Sequence, residues 1–124
     1  MKTFVMNKRL KSFVYAINGI RIGIREPNML IHLTMAVLVV FFGFLFGISV
    51  SEWLICILCF GLVMGMELIN TAIEKLVDLV SPEYNKLAGK IKDIAAGAVL
   101  IAAVFAAVNG LIIFIPKAIK FFCG

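Results

Sequence analysis

The stretch Met64–Asp78, MGMELINTAIEKLVD, decides how this chain is organised. Its polar side chains are Glu67, Asn70, Thr71, Glu74 and Asp78. Counted from Glu67, the others follow at three, four, seven and eleven residues, and at about 100° per residue these positions share one stripe of a helix. The apolar run before Glu67 places the start of this stripe inside a hydrophobic span. A carboxylate there is costly and indicates a functional site.

The composition predicts an integral membrane protein. Of the 124 residues, 63% are hydrophobic, and the mean hydropathy of +1.10 is far above that of a soluble domain. A soluble core of this length could not bury so much apolar surface. We interpret the net charge of +5 as contact with anionic lipid headgroups. No nucleic-acid binding is expected, because no basic run is interleaved with aromatic residues.

Three segments are predicted to cross the membrane, at about residues 29–48, 53–80 and 94–115. The first and third contain the roughly 20 apolar residues that a crossing requires. The second is apolar only as far as Met66, so Glu67 is expected near one interface but still within reach of the acyl chains. Pro116 is predicted to end the third span. The whole chain, residues 1–124, is therefore expected to form one all-α membrane-embedded domain.

The N-terminal segment, about residues 5–25, is predicted to form an amphipathic surface helix. Apolar residues recur in it at helical spacing, and bases supply the opposite face. A helix of this kind lies in the plane of the interface with its apolar side toward the lipid. Pro27 is expected to end it, because proline cannot continue a helix and restricts the residue before it.

The distribution of lysine and arginine predicts the orientation. Six of these residues precede the first span, four lie in or beside the loop between the second and third spans, and the first loop has none. The positive-inside rule places the N-terminus and the second loop in the cytoplasm. Lys117 and Lys120 are then outside. No cleavable signal is expected, since no short apolar stretch with a small-residue cleavage site begins the chain.

Cys56 and Cys59 form a C-x-x-C pair, but it lies within the apolar run WLICILCFGL. A metal or redox pair needs access and polar partners. We therefore expect both thiols to serve in helix packing or to face lipid.

The predicted topology gathers most acids at the cytoplasmic interface. These are Glu26, the acids of the Glu67–Asp78 stripe, Glu83 and Asp93, with Lys92 among them. Carboxylate oxygens suit a hard divalent cation, and magnesium commonly takes one or two carboxylates and leaves its other positions to water and phosphates. Lysine would contact those phosphates. One buried carboxylate would remain free to act as a base toward a lipid hydroxyl.

The runs ELINTAIEKLVDL and KDIAAGAVLIAA resemble the prokaryotic diacylglycerol kinase family. The pattern E-x-x-N-[ST]-A-I-E-x-x-V-D is met from Glu67 to Asp78, and the resemblance extends from about Arg9 to Lys117. It implies three membrane spans with a surface helix, a homotrimer, and ATP- and Mg²⁺-dependent phosphorylation of a membrane lipid alcohol. Three thin spans in one chain also suggest that further copies must cover the polar stripe.

The resemblance also implies roles for individual residues. Glu67 corresponds to the general base and Asn70 to an active-site amide, while Glu26 and Glu74 correspond to acids that hold the metal against the nucleotide. The remaining nucleotide contacts implied are Lys8 or Arg9, Tyr15, Glu83, Tyr84, Asn85, Lys92 and Asp93.

Several further runs are similar to the undecaprenol kinases of this family, which are bacterial cytoplasmic-membrane enzymes. They are RLKSFVYA, the histidine of NMLIH, AAGAV and GLIIFIPK. His32 stands where the diacylglycerol-specific branch usually has glutamate, although a lone histidine at a helix end is more often structural. Three alternatives remain at this point: a diacylglycerol kinase, a non-catalytic membrane interaction protein, and a small channel or transporter.

Overall fold

The computed structural model describes the backbone of residues 2–124 and the side chains of residues 7–124, and it is built from helices. In chain order these are α1 (Lys2–Ile24), α2 (Pro27–Phe46), α3 (Val50–Val80) and α4 (Lys86–Cys123). Helices α2, α3 and α4 are each long and apolar enough to cross a membrane. The predicted class, three transmembrane helices after an N-terminal helix, is confirmed.

The three spanning helices differ in length. Helix α2 has 20 residues, α3 has 31 and α4 has 38, which correspond to about 30, 46 and 57 Å at 1.5 Å per residue. Only α2 matches the hydrocarbon thickness of about 30 Å. Because short loops join the helices, α3 and α4 run antiparallel and form the most extensive contact. The C-terminal part of α3, the N-terminal part of α4 and the start of α2 therefore share one end of the molecule.

Local signals explain where the helices begin and end. Pro27 opens α2, where its missing N–H costs nothing, and Gly47 ends it with a φ of 64° that favours glycine. The Ser49 hydroxyl accepts a hydrogen bond from the Glu52 amide, while the Glu52 side chain accepts one from the Ser49 amide. This capping box starts α3.

One predicted boundary is wrong, because α4 does not end at Pro116 but continues through it to Cys123. The proline costs the helix a single backbone hydrogen bond near its end, and tertiary contacts hold the segment that follows. Lys117 Nζ lies 3.3 Å from Glu52 Oε1, and the ring of Phe121 lies 5.3 Å from that of Phe46. These contacts tie the last turns of α4 to the outer ends of α2 and α3.

The inner residues of the polar stripe are covered without other copies of the chain, so the expectation that further copies must cover them is wrong. Glu67, Asn70 and Thr71 are buried within one chain, at 2%, 4% and 7% relative exposure. Helices α1, α2 and α4 all contact α3 and together cover this part of the stripe. Glu74 is half-buried and Asp78 is exposed, so the stripe passes from the protein interior to the surface.

Among residues 7–24 of α1, whose side chains the structure describes, the one that is buried against the bundle lies near the C-terminal end of the helix. Gly23 is buried there, and a Cβ atom at this position would overlap the Leu68 side chain of α3. The apolar side chains earlier in α1 are exposed, among them Leu10, Phe13 and Ile17. This arrangement is consistent with a helix that rests its apolar side on lipid.

The Asn85 side chain caps α4, since its Oδ1 accepts hydrogen bonds from the amides of Leu87 at 2.9 Å and Ala88 at 3.2 Å. We expect Asn85→Ala to lower the free energy of unfolding by about 0.5–2 kcal/mol, because two amides lose their acceptor. Asn85→Asp keeps the acceptor and should melt like the unchanged protein. Thermal unfolding in detergent, followed by circular dichroism, tests this; identical melting of the alanine variant would contradict a stabilising cap.

Candidate active site

The centre of the site is a buried contact between α2 and α3. Glu67 Oε2 lies 3.4 Å from His32 Nε2, and the two side chains are 3% and 20% exposed. Among residues 7–124, His32 is the single polar partner that the structure gives Glu67. A carboxylate withdrawn this far from water is strongly destabilised unless it has a partner or loses its charge. The sequence correctly predicted that Glu67 is the innermost acid of the stripe.

One helical turn further along α3, Asn70 Nδ2 donates a hydrogen bond to Glu74 Oε1 at 3.1 Å. The other polar atom of this amide, Oδ1, is buried and has no hydrogen-bond partner among the described side chains. A buried acceptor without a donor costs about 1–3 kcal/mol, so such an atom needs an explanation. Asn70 thus contacts Glu74 through Nδ2, while its Oδ1 is an acceptor that the described side chains leave unused.

Glu26 lies at the N-terminus of α2, where its side chain makes no capping hydrogen bond. Instead Glu26 Oε1 lies 3.6 Å from Lys75 Nζ of α3. An ion pair this exposed contributes at most about 1 kcal/mol, so stability does not account for it. Its structural effect is to bring Glu26 to the turn of α3 that carries Glu74.

Lys92 of α4 donates a hydrogen bond to Asp78 Oδ1 of α3. This pair joins the two long helices beyond the buried part of the stripe, and it holds the lysine ammonium group at the same end of the molecule as Glu74. The adjacent Asp93 is exposed. The structure therefore places the predicted Lys92–Asp93 pair at the surface end of the site.

The turn between α3 and α4 contains three more predicted nucleotide contacts. Glu83 and Tyr84 are exposed, Tyr84 at 94%, and both side chains are free to meet a ligand in solution. Asn85 has its Oδ1 engaged as the α4 cap, which leaves its Nδ2 group for any further contact.

The remaining predicted contacts lie on α1. The Lys8, Arg9 and Tyr15 side chains are exposed. Within residues 7–124 they form no ion pair or side-chain hydrogen bond with the other candidate residues. The structure of one chain thus brings Glu26, Glu67, Asn70, Glu74 and Lys92 to one end but does not bring the α1 residues against them.

An apolar groove of about 500 Å³ runs between α2, α3 and α4 and reaches His32 at one end. Its walls include Met35 and Val39 of α2, Val63 of α3 and Ala103 and Phe114 of α4.

Along α3 the lining residues Cys56, Phe60 and Val63 are spaced at four and three residues, and Glu67 follows four residues later on the same stripe. The groove therefore ends at His32, about one helical turn short of Glu67 along α3.

The cysteines behave as the sequence predicted. All three are unpaired, and Cys56 and Cys59 line the apolar groove. Within the described residues, the polar contact of the pair is a long hydrogen bond, 3.5 Å, from Asn109 Nδ2 to Cys59 Sγ.

Over the described residues, no group of three or more histidine, cysteine or acidic side chains lies close enough together to hold a metal ion by itself.

Sequence reasoning missed three partners: His32 of Glu67, Lys75 of Glu26 and Asp78 of Lys92. Each contact joins two helices, and the register of one helix against another cannot be read from spacing along either of them. A signal for His32 was present, because an imidazole near the start of an apolar span needs a polar partner.

Known proteins share much of this sequence. The sequence profile of the family described as prokaryotic diacylglycerol kinase matches residues 14–114. The chain is 44% identical to the undecaprenol kinase of Bacillus subtilis over 113 residues, which are 90% of this chain and 92% of that protein. It is 38% identical to a diacylglycerol kinase of Synechocystis over 109 residues, 86% of this chain and 62% of the relative.

The diacylglycerol kinase of Escherichia coli K12 is 44% identical over a shorter stretch of 52 residues, 42% of this chain and 43% of that protein. The profile match covers most of the chain, and the relatives carry the names of lipid kinases. The expected family, and the likeness to its undecaprenol kinase branch, are confirmed. The chain belongs to the prokaryotic diacylglycerol kinase family, and it is a membrane lipid kinase.

Proposed function

We propose that this protein transfers the γ-phosphoryl group of ATP to the hydroxyl of undecaprenol, giving undecaprenyl phosphate and ADP. One observation carries the proposal: an apolar groove of about 500 Å³ reaches His32, whose imidazole contacts the buried Glu67 carboxylate. An apolar tail in the groove places its terminal hydroxyl beside a carboxylate. The similarity to the Bacillus subtilis undecaprenol kinase supports the same substrate.

The lining of the groove favours a polyprenol over diacylglycerol. Apart from two thiols, its polar side chains are His32 and Asn109, and Asn109 already donates to Cys59. A polyprenol carries no polar atom beyond its hydroxyl, whereas diacylglycerol has two ester carbonyls beside it. Each carbonyl buried without a donor costs about 1–3 kcal/mol. This difference amounts to roughly tenfold or more in kcat/KM.

In the proposed reaction, Glu67 accepts the proton of the lipid hydroxyl while the hydroxyl oxygen attacks the γ-phosphorus. The bond from that phosphorus to the β–γ bridging oxygen breaks, and ADP leaves.

Phosphoryl transfer depends mostly on positioning and charge neutralisation. Lys92 therefore acts beside the phosphates, and the Asn70 amide holds Glu74 in place. Glu83, Tyr84, Asn85, Asp93 and, from α1, Lys8 and Tyr15 complete the nucleotide site.

The residues present fit a magnesium ion. Glu26 and Glu74 supply carboxylate oxygens at one end of the bundle, and Lys75 holds Glu26 beside the α3 turn that carries Glu74. Two carboxylates are what magnesium takes from a protein when substrate phosphates and water complete its shell. When bound, the ion would neutralise charge on the phosphates.

The same proposal includes the orientation of the enzyme in the membrane and its assembly. The N-terminus and the α3–α4 turn lie in the cytoplasm of a bacterial cell, where ATP is available, and the excess of lysine and arginine before the first span supports this part of the proposal. The active form is a homotrimer in the cytoplasmic membrane, which the family resemblance supports. In such an assembly α1 of one copy can reach the nucleotide site of another.

Purified protein in mixed micelles, supplied with labelled ATP and Mg²⁺, should phosphorylate undecaprenol with a kcat/KM about tenfold or more above that for diacylglycerol. Glu67→Gln should lower kcat by about 10²–10⁴-fold, the usual contribution of a general base, and leave the KM for ATP nearly unchanged. Preference for diacylglycerol would support the alternative kinase. Absence of transfer to either lipid would favour a non-catalytic protein.

The metal site has its own test. Glu26→Gln and Glu74→Gln each remove a negative charge at nearly constant shape, so each should raise the Mg²⁺ concentration required and sharply lower turnover at limiting Mg²⁺. Glu52→Gln is the matched control, because it makes the same change at the opposite end, where Glu52 pairs with Lys117. A normal Mg²⁺ titration in either test variant would remove that residue from the metal site.

A further inference from the structure

We infer that His32 is a positioning residue for Glu67. In the reactive complex its imidazole donates a hydrogen bond to Glu67 Oε2 and leaves Glu67 Oε1 for the lipid hydroxyl. This inference rests on the proposed function, in which Glu67 is the general base, and it assigns a role to a residue that spacing along the chain left unassigned.

The first support is the geometry of the contact. His32 Nε2 and Glu67 Oε2 are 3.4 Å apart, a contact that is longer than a formed N–H···O hydrogen bond. Catalytic hydrogen bonds are often long before substrate binds and shorten in the reactive complex. An imidazole with a hydrogen on Nε2 can donate from that nitrogen in its neutral tautomer and also when it is protonated. Donation to Glu67 is therefore possible in either charge state of His32.

The second support is the position of His32 between the groove and the base. His32 lines the groove and contacts Glu67 on the neighbouring helix, so one side chain borders both the proposed lipid and its base. The Glu67 side chain has several rotatable bonds, so its carboxylate needs a contact that fixes its orientation. Among residues 7–124, His32 is the polar side chain that makes such a contact. A misplacement of about 1 Å in a reacting group can lower the rate by about 10²-fold.

The third support is that the Asn70 amide, the donor on α3 nearest in sequence to Glu67, is bound to Glu74. Asn70 donates to Glu74 rather than to Glu67, and its unpartnered Oδ1 is an acceptor that cannot bind a carboxylate oxygen. Orientation of Glu67 therefore depends on α2. The register of α2 against α3, which brings His32 to Glu67, thereby becomes part of the active site.

The test is a double-mutant cycle measured with undecaprenol. His32→Leu should lower kcat by about 10–100-fold, the usual effect of losing a hydrogen bond to a charged group, with an unchanged KM for ATP. His32→Gln retains an N–H donor and should recover most of the activity. In a Glu67→Gln background, His32→Leu should cause no further loss, because the carboxylate that it positions is gone.

Thr34→Val is the matched control on the same helix. The Thr34 hydroxyl donates only to the Leu30 carbonyl, at 2.8 Å, and the residue is exposed, so kcat should not change. Melting temperatures of all variants in detergent report on folding. If His32→Leu does not fold, His32→Ala takes its place in the cycle.

The failures of the two proposals are distinguishable. Inactivity of the unchanged protein toward undecaprenol would overturn the proposed function itself. An active parent with a normal His32→Leu variant would overturn only the role of His32. An equal loss of kcat from His32→Leu in both backgrounds would also overturn that role, because it indicates a merely structural residue. A His32→Gln variant as impaired as His32→Leu would overturn it too, because it indicates a need for the imidazole itself.

Discussion

The burial of Glu67 inside the helical bundle is the constraint on which the rest of the structure depends. Its side chain is 3% exposed and lies 3.4 Å from His32, within a chain that is 63% hydrophobic. A carboxylate in such surroundings is costly unless neighbouring elements supply a partner. Helix α2 supplies that partner, and α1 and α4 close over the same stretch of α3. A structure without a use for the acid would gain stability by replacing it with an apolar residue.

The unequal helix lengths bear on the same site. Helix α2 is just long enough to cross the hydrocarbon, whereas α3 and α4 are longer than a crossing requires. Along α3 the stripe therefore passes from buried Glu67 through half-buried Glu74 to exposed Asp78. This gradient matches a reaction between two substrates of opposite character. In the proposed reaction, an apolar alcohol approaches along the groove and a charged nucleotide approaches from water.

Much of the fold was predictable because it depends on properties local in sequence. Twenty apolar residues define a span, and the three- and four-residue spacing from Glu67 defines a helical stripe. The exception was Pro116, where tertiary contacts of Lys117 and Phe121 carry the helix onward. The Glu67–Asp78 motif likewise indicated the family. Contacts between helices were not predictable: His32–Glu67, Glu26–Lys75 and Asp78–Lys92 all depend on registers that no spacing within one helix reveals.

The central claim is that the lipid alcohol occupies the groove with its hydroxyl at Glu67. The most direct measurement is photo-crosslinking with a polyprenol that carries a diazirine next to its hydroxyl, followed by mass spectrometry of the labelled peptides. The account predicts labelling near the His32 end of the groove, at residues such as Met35, Val63 and Ala103, and its loss when unlabelled undecaprenol competes. Labelling confined to outward-facing residues such as Phe44 and Leu58, without competition, would contradict it.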